Sequence, residues 1–578
     1  MKKKSLRKIL QNGKRKNAGI TLIALVLTIV ILIILATITI NFAFGENGLV
    51  SMTEDARDIT TEATEKEGIE MAVADSKIKD ITTPDREKEN LEESLRSQFG
   101  NDVNFTVTEN GEGSFLITMN DSQRSYYVES TGEIIAQSEW IEIGTAEELK
   151  AFRDEVNSGN TFEGQYIRLT SDITLDINEE WEPIGYYYQN SEDTSIKDGI
   201  HNENHKPFSG IFDGQGHTVD YMKINNSKYG QGLFGLVDSG EIKNINLGEN
   251  CSLNMQGVGC GGIVGIVRTA GEVYNCNNYA DMEQTIGGVV GSIVGSVTVS
   301  NCKNYGELTN AMGGIVGASN GGDWEEYKNQ FHTIINCGNY GNVSKSIDGA
   351  YVGGIVGYFQ GTISNSFNSG TVSMNANEEK VGGITGSIDG NILNCSNEGN
   401  VNSNANKVGG ITGSIHSEGI IDQCFNKGQV NGNENVGGIV GYEGENIKNC
   451  YNTGIVTGTR DVGGIVGRNE GKVSNCYNIG KISGDTRVGG IVGLNNSYNS
   501  PSQNLSVRGT IRNTYSLDSA CEDLCGQNNT NGDGAIIENS SIKTEQEMKS
   551  LAPTLGSAFK DDYEEENIND GYPILSWQ

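Results

Sequence analysis

A pentapeptide that recurs at nearly constant spacing constrains the fold of this chain more than any other feature. Its form is Gly-Gly-Ile/Val-Val/Thr-Gly, and successive copies start 26, 26, 40, 29, 27, 28, 26 and 26 residues apart. A period of this size indicates stacked supersecondary units, each contacting its neighbours, rather than one globular fold. The copies begin at Gly261, Gly287, Gly313, Gly353, Gly382, Gly409, Gly437, Gly463 and Gly489.

A second signature, Asn-Cys-x-Asn-x-Gly, runs between the pentapeptides, as at residues 301–306 and 475–480. Ile, Val and Thr fill the repeated apolar positions in short runs, and Gly or Asn follows each run. Such runs are typical of strands joined by tight turns, and no helical periodicity accompanies them. One repeat per coil predicts a parallel β-solenoid (β-helix) over residues 251–497.

The second asparagine of this signature recurs once per repeat. Equivalent side chains in stacked strands can hydrogen-bond along the stack, so we expect an amide ladder. Its members are Asn278, Asn304, Asn339, Asn368, Asn397, Asn426, Asn452 and Asn478.

Seven of the 11 cysteines share one repeat position, and Ser366 fills that position in another copy. Residues in such a column lie one strand spacing apart with parallel side chains, which does not suit disulfide geometry. We therefore predict buried thiols that pack as small apolar groups. Whether Cys521 and Cys525 form a local disulfide stays open. The column contains Cys276, Cys302, Cys337, Cys395, Cys424, Cys450 and Cys476.

The repeat array resembles the GLUG-repeat family, which is found on bacterial surface proteins and beside some immunoglobulin A protease-type zinc metallopeptidases. The resemblance implies a mainly β protein whose solenoid has capping regions. Residues 140–250, which include the segment 208–219 (FSGIFDGQGHTV), look like the N-terminal cap of such arrays. Residues 498–578 are interpreted as a C-terminal cap, because the end coils would otherwise expose open strand edges.

The N-terminus predicts a membrane anchor. Residues 20–40 contain no charge, a length that suits a helix crossing a bilayer, and a basic leader, residues 1–19, precedes them. The positive-inside rule places the leader in the cytoplasm and the later residues outside, so we expect a single-pass protein of the bacterial cell membrane with its C-terminal part on the cell surface.

The junction at residues 16–25 (KNAGITLIAL) resembles the leader of type IV prepilins and pseudopilins. The resemblance implies cleavage after Gly19 by a prepilin peptidase and methylation of the new N-terminal Ile20. This chain departs from the family at Ala24, where the family has a glutamate that helps a subunit dock into the filament. In residues 41–139, helical periodicity followed by short alternating runs fits either the pilin plan or a generic α+β spacer.

The charge balance disfavours nucleic acid as a partner, because 75 acidic against 42 basic residues give a formal net charge of −33. His201 and His205 are four residues apart, but Gly199 and Pro207 flank them and the glutamate between them is misplaced for a zinc-protease motif. We expect a loop there and no metal site. Without a nucleophile elbow or phosphate loop either, the sequence predicts no cofactor and no enzyme.

Exposed aromatic residues are the candidate binding groups. One group is a tyrosine triplet, and the other lies in residues 318–332, which lengthen one repeat to 40 residues. Such side chains can stack on sugars or contact a protein, and the alternative is that these loops fold back over the coil edge. The candidates are Tyr186, Tyr187, Tyr188, Trp324, Tyr327 and Phe331.

These features favour a membrane-anchored bacterial surface protein whose non-catalytic solenoid serves in adhesion or binds a surface glycan or protein. One alternative is a minor pilin or pseudopilin of a type IV pilus or a type II secretion-like system. Another is a glycan-active β-helix enzyme.

Overall fold

The structure is a computed structural model that describes residues 49–80, 86–100, 103–109, 113–129, 131–136, 140–188, 204–319, 331–346, 351–375, 380–416, 419–443, 446–500, 505–529, 534–562 and 567–578. The basic leader, the apolar segment 20–40 and the Gly19–Ile20 junction lie outside these residues. Within the described ranges, no helix combines the length and the apolar character needed to cross a membrane. The chain forms two compact units, Met1–Trp140 and Ile141–Gln578.

The first unit contains two helices, Leu49–Asp80 and Glu87–Phe99, and a four-stranded antiparallel sheet. The side chains of Ile69, Leu95 and Ile117 are fully buried in its core. The buried Tyr126 donates its hydroxyl hydrogen to Glu65 at 2.7 Å. The strands are Phe105–Glu109, Phe115–Met119, Arg124–Val128 and Ile134–Ala136.

The second unit is a parallel β-solenoid of about 12 turns, so the predicted fold class is confirmed at that level. A typical coil has five short strands, Glu434–Gly437, Val440–Glu443, Asn446–Lys448, Tyr451–Asn452 and Val456–Thr457. The next coil repeats each strand directly above, for example with Gly437 paired to Gly463. The repeat period therefore equals one coil.

Stacked strands form four parallel sheets in the described part of the solenoid. Sheet A contains Trp140–Ile143, Tyr166–Leu169, Ile211–Asp213, Phe234–Asp238, Glu241–Lys243, Val264–Thr269, Glu272–Tyr274, Val290–Gly295, Thr298–Ser300, Val316–Ser319, His332–Ile335, Val356–Ser364, Thr385–Leu393, Thr412–His416, Ile420–Asp422, Val440–Glu443, Asn446–Lys448, Val466–Asn469, Lys472–Ser474, Val492–Asn495, Thr510–Arg512, Cys525–Asn528 and Ile536–Glu538. Sheet B contains Ile173–Thr174, Thr218–Asp220, Asn246–Leu247, Asn277–Asn278, Lys303–Asn304, Gly338–Asn339, Phe367–Asn368, Ser396–Asn397, Phe425–Asn426, Tyr451–Asn452, Tyr477–Asn478, Tyr515–Leu517 and Ser541–Lys543. Sheet C contains Lys223–Asn226, Ser252–Met255, Met282–Glu283, Leu308–Thr309, Val343–Lys345, Val372–Met374, Val401–Ser403, Val430–Asn431, Val456–Thr457 and Ile482–Ser483. Sheet D contains Tyr351–Gly353, Lys380–Gly382, Lys407–Gly409, Glu434–Gly437, Arg460–Gly463 and Thr486–Gly489.

The corner between sheets A and B explains the first asparagine of the Asn-Cys signature. In the seven copies that begin with asparagine and lie between residues 275 and 475, this residue has φ between 49° and 56°, in the left-handed region. Asparagine tolerates that region better than most residues with a side chain. The left-handed corner turns the chain sharply, so that the next residue, such as Cys476, points into the core.

Parallel strands extend into both of the predicted capping regions, residues 140–250 and 498–578. Strands from Tyr166 to Leu247 already continue sheets A, B and C, and strands from Thr510 to Lys543 continue sheets A and B. Helix Ala146–Ser158, capped by the Thr145 hydroxyl, contributes Phe152 to an aromatic cluster with Phe162 and Phe208 in the first coils.

The last residues of the chain pack on the flank of the stack. Helices Glu545–Lys549 and Ala552–Leu555 and the hairpin Phe559–Lys560 with Ile574–Leu575 lie against the outer side of sheet B. There Phe425, Tyr451 and Tyr477 stack at 5.1 Å, because aromatic residues fill one outward position in successive coils. A further hairpin joins Ser497–Ser500 to Leu505–Arg508.

Candidate functional site

A cleft of about 410 Å³ near the start of the solenoid contains the predicted tyrosine triplet. Aromatic, amide and charged side chains share its wall, a composition that suits a polar ligand with an apolar face. The lining residues are Asn157, Glu182, Pro183, Tyr186, Tyr187, Tyr188, Lys228, Tyr229 and Gln231.

Gly185 sets the path of the backbone into the cleft. Its φ of +72° favours glycine, and a β-carbon there would lie 2.7 Å from the carbonyl oxygen of Leu236. Its N–H donates to Asn157 Oδ1 at 2.8 Å. Two backbone hydrogen bonds, of 2.8 and 3.1 Å, then join Tyr186 to Lys206. The tyrosines are thus held on fixed backbone.

The three tyrosines are not equally available to a ligand. Tyr187 is 5% exposed, and its ring lies 4.2 Å from the His205 ring and 6.4 Å from the Tyr229 ring between centroids. Tyr188 is 40% exposed, and its N–H donates to His205 Nδ1 at 2.9 Å. Tyr187 is therefore part of the packed wall of the cleft, while the side chain of Tyr188 is the more exposed to a ligand.

Polar groups at the rim of the cleft could orient a hydroxyl-rich ligand. Glu182 and Lys228 are exposed. Gln231 is buried, accepts a hydrogen bond from Asn226 at 3.2 Å, and donates to the carbonyl oxygen of Tyr229 at 3.1 Å. A tyrosine ring beside hydrogen-bond donors and acceptors could contact a polar ligand that has an apolar face.

The second predicted aromatic group is only partly described. Trp324 and Tyr327 lie outside the described residues, and Phe331 is 62% exposed and does not line the cleft. His332, its neighbour, is buried, and burial lowers the pKa of this imidazole to about 4. His201 also lies outside the described residues, and within them no group of three His, Cys, Asp or Glu side chains is placed to hold a metal ion.

A ladder of three tyrosines on the outer side of sheet B was not predicted. Tyr279, Tyr305 and Tyr340 stack at 4.7 Å between centroids, nearly parallel, and Phe367 meets the last ring edge-on. The signal in the sequence is a tyrosine directly after the second asparagine in three consecutive copies. Because the stacked faces cover one another, this ladder offers mainly ring edges and hydroxyl groups.

The asparagine column runs through the interior of the solenoid. From Asn278 to Asn478, each Nδ2 donates to Oδ1 of the next asparagine at 2.7–2.8 Å. Each Nδ2 also donates to the carbonyl oxygen two residues later, as Asn397 does to Gly399 at 2.7 Å. All eight side chains are fully buried. The amides thus join neighbouring coils and close the turn after sheet B.

The cysteine column lies beside the asparagines. All 11 cysteines are within the described residues and are free thiols, including Cys521 and Cys525. The seven column thiols donate to the carbonyl oxygen two residues earlier at 3.1–3.4 Å, and the Ser366 hydroxyl makes the same bond at 2.8 Å. Burial raises the pKa of Cys302 and Cys337 well above the usual range of a thiol.

The comparison with known protein families agrees with the repeat architecture. The family model of the GLUG motif matches residues 432–457 and 458–483, each one full coil. No curated protein matches the chain. The 1.30 Å crystal structure of a Bacteroides ovatus protein described as a putative immunoglobulin A1 protease is similar, with 18% identity, coverage of 76% of this chain and 94% of that chain, and a TM-score of 0.25. The chain is therefore a β-solenoid protein that contains GLUG-motif repeats.

Proposed function

We propose that this chain is a bacterial cell-surface protein whose solenoid binds a glycan without catalysing a reaction. The observation that carries the proposal is the cleft in which the exposed Tyr188 ring stands beside Glu182 and Lys228. The cleft is held by backbone hydrogen bonds, so little freedom is lost when a ligand binds. In three consecutive coils of sheet C the outward position holds small uncharged side chains, Thr309, Ser344 and Ser373, and a single acid, Glu283, precedes them in register.

Tyr188→Ala is expected to weaken glycan binding about tenfold, because a lost sugar–aromatic contact costs about 1.4 kcal/mol. The probe is a printed glycan array incubated with the full-length chain, followed by calorimetric titration of the strongest glycan. Tyr221→Ala is the matched control, because Tyr221 is equally exposed, at 40%, and does not line the cleft. If no glycan is retained, or if both variants bind like the parent protein, the proposal fails.

The proposal includes membrane anchoring through residues 20–40. A pilin-related role is the second candidate, supported by the junction at Gly19–Ile20 and by a long helix followed by a small antiparallel sheet in the first unit. Mass spectrometry of the membrane-extracted chain separates the two. A mature N-terminus at methylated Ile20 favours the pilin-related role, and an intact leader favours a simple anchor.

A further inference from the structure

Basic side chains converge where sheet D meets sheet A, in the middle of an acidic protein. Lys380 and Lys407 occupy equivalent positions in adjacent strands of sheet D. His416 ends the sheet A strand Thr412–His416, and Arg468 lies in the strand Val466–Asn469. We call Lys380, Lys407, His416 and Arg468 the basic cluster. All four side chains are partly exposed, in a chain whose formal net charge is −33.

Lys380 and His416 contact each other directly. The Lys380 ammonium nitrogen lies 2.6 Å from His416 Nε2 and donates to the Ser387 hydroxyl at 3.3 Å. An ammonium group has only hydrogens to donate, so His416 accepts through an unprotonated nitrogen. Burial and the charges of Lys380 and Lys407 lower the pKa of His416, while Asp389, which pairs in register with it, raises that pKa. The imidazole is therefore neutral at pH 7.

Among the described residues, the buried carboxylate of Glu470 lies beside the cluster and already accepts four hydrogen bonds. Its Oε1 accepts from Arg468 at 2.6 and 2.9 Å and from Asn496 at 2.9 Å. Its Oε2 accepts from the Tyr442 hydroxyl at 2.8 Å. Glu470 therefore pairs directly with Arg468, and its charge acts on Lys407 without a direct contact.

Lys407 is held by an aromatic ring rather than by an ion pair with a described carboxylate. Its ammonium nitrogen lies 4.7 Å from the centroid of the Tyr442 ring, and the Arg468 guanidinium carbon lies 5.6 Å from the same centroid. Within the described residues, no carboxylate oxygen comes within 4.0 Å of that nitrogen. Burial, and then the charge of Arg468, lowers the pKa of Lys407, and the charge of Glu470 opposes these two effects. A half-buried cation held by an aromatic ring and repelled by a second cation gains most from a bound anion.

We propose that the basic cluster binds the carboxylate of an acidic sugar, with one carboxylate oxygen accepting from Lys407 and the other from Lys380. A ligand with a single carboxylate fits better than a polyanion. In physiological salt, acidic residues more than about 8 Å from a bound carboxylate are screened and repel it little. A long polyanion would extend over the rest of the acidic surface and be repelled by it. The adjacent Tyr351 and Tyr358 rings, 5.7 Å apart, provide apolar surface for the sugar. That the ligand is a sugar rests on the proposed function, whereas the binding of a carboxylate is argued from the basic cluster alone.

The test is titration of the full-length chain with methyl β-glucuronide, followed by calorimetry and ligand-observed NMR. Methyl β-glucoside, which lacks the carboxylate, is expected to bind at least about tenfold more weakly, and Lys407→Gln to reduce glucuronide affinity about tenfold. Lys472→Gln is the matched control, because Lys472 is an exposed lysine of sheet A outside the cluster and its loss changes the net charge equally. The control is expected to change the affinity less than about twofold.

Several outcomes would overturn the proposal. Equal binding of glucuronide and glucoside, equal effects of Lys407→Gln and Lys472→Gln, or no glucuronide binding would each exclude the carboxylate site. Acetate binding as tightly as the glucuronide would show a bare anion site and overturn the sugar part. Tyr188→Ala is expected to leave glucuronide binding at the cluster unchanged, so failure of the aromatic cleft and failure of the basic cluster are distinguishable. Thermal unfolding of each variant shows that it is folded.

Discussion

Gly383→Ala is expected to open the solenoid locally, at a cost of more than about 3 kcal/mol. A β-carbon on Gly383 would lie less than 3.0 Å from the carbonyl oxygen of Gly410 and from the amide group of Asn397. Neither neighbour can move away, because Gly410 is hydrogen-bonded to the following coil and Asn397 to the asparagines on both sides. In eight of the nine pentapeptides the second glycine thus lies against the second asparagine of an Asn-Cys or Asn-Ser signature, and in the ninth Gly490 lies against Ser516.

Limited proteolysis with peptide mapping measures this effect. A long stack of repeats does not unfold in one step, whereas the cleavage rate follows the local population of the open form. We expect cleavage in the coils around Gly383 to rise about 100-fold or more. Gly164→Ala is the control, because Gly164 has φ of +70° but no heavy atom within 4 Å of an added β-carbon. Gly164→Ala therefore tests backbone strain alone, for which we expect a cost of about 1 kcal/mol. Equal effects of Gly164→Ala and Gly383→Ala would contradict the packing argument.

Asn397→Ala is expected to cost about 2–3 kcal/mol. The substitution removes Asn397 Oδ1, which accepts a hydrogen bond from Asn368 Nδ2. It also removes Asn397 Nδ2, which donates to Asn426 Oδ1 and to the carbonyl oxygen of Gly399. The side chains of Asn368 and Asn426 are fully buried, and Gly399 is buried too. Water therefore cannot replace the lost hydrogen bonds unless the coil opens. Thermal melting and the same proteolysis assay measure the loss.

Asn402→Ala is the control for the ladder. Asn402 Oδ1 also accepts from an asparagine of the next coil, Asn431, at 2.7 Å, but Asn402 is exposed and water can replace the bond. We expect a change below about 0.5 kcal/mol. If Asn397→Ala is as mild as Asn402→Ala, the internal ladder does not stabilise the stack.

The repeat period carried most of the information about the fold. It identified one coil per repeat and the positions that share a column, because a constant spacing keeps equivalent side chains in register. The period does not mark every coil of the stack. Coils around Phe212 and Ile242 keep buried apolar residues in sheet A but lack the pentapeptide, so only their three-dimensional pairing reveals them. The left-handed corner at residues such as Asn475 was missed for a different reason, since φ is not visible in a spacing.

The candidate site was less predictable than the fold. The sequence identified the tyrosine triplet as a candidate binding group. It did not reveal that Tyr187 is buried, because this depends on contact with the His205 ring. His205 is positioned by the backbone hydrogen bonds between Tyr186 and Lys206. The basic cluster joins Lys407 to Arg468, which are 61 positions apart in the sequence. Such a meeting of outward side chains from different coils follows from the stacking register and from side-chain rotamers, which no local pattern specifies.

The stack of coils is tested most directly by native-state hydrogen exchange of the full-length chain. The backbone amides of sheets A, B and D between Gly353 and Gly489 bond to the coil above or below, so we expect them to be protected as one contiguous block. Protection is expected to fall toward both ends of the solenoid, where coils have fewer neighbours. Amides in this block that exchange as fast as those of an unfolded chain, or protection confined to isolated segments, would contradict a continuous solenoid.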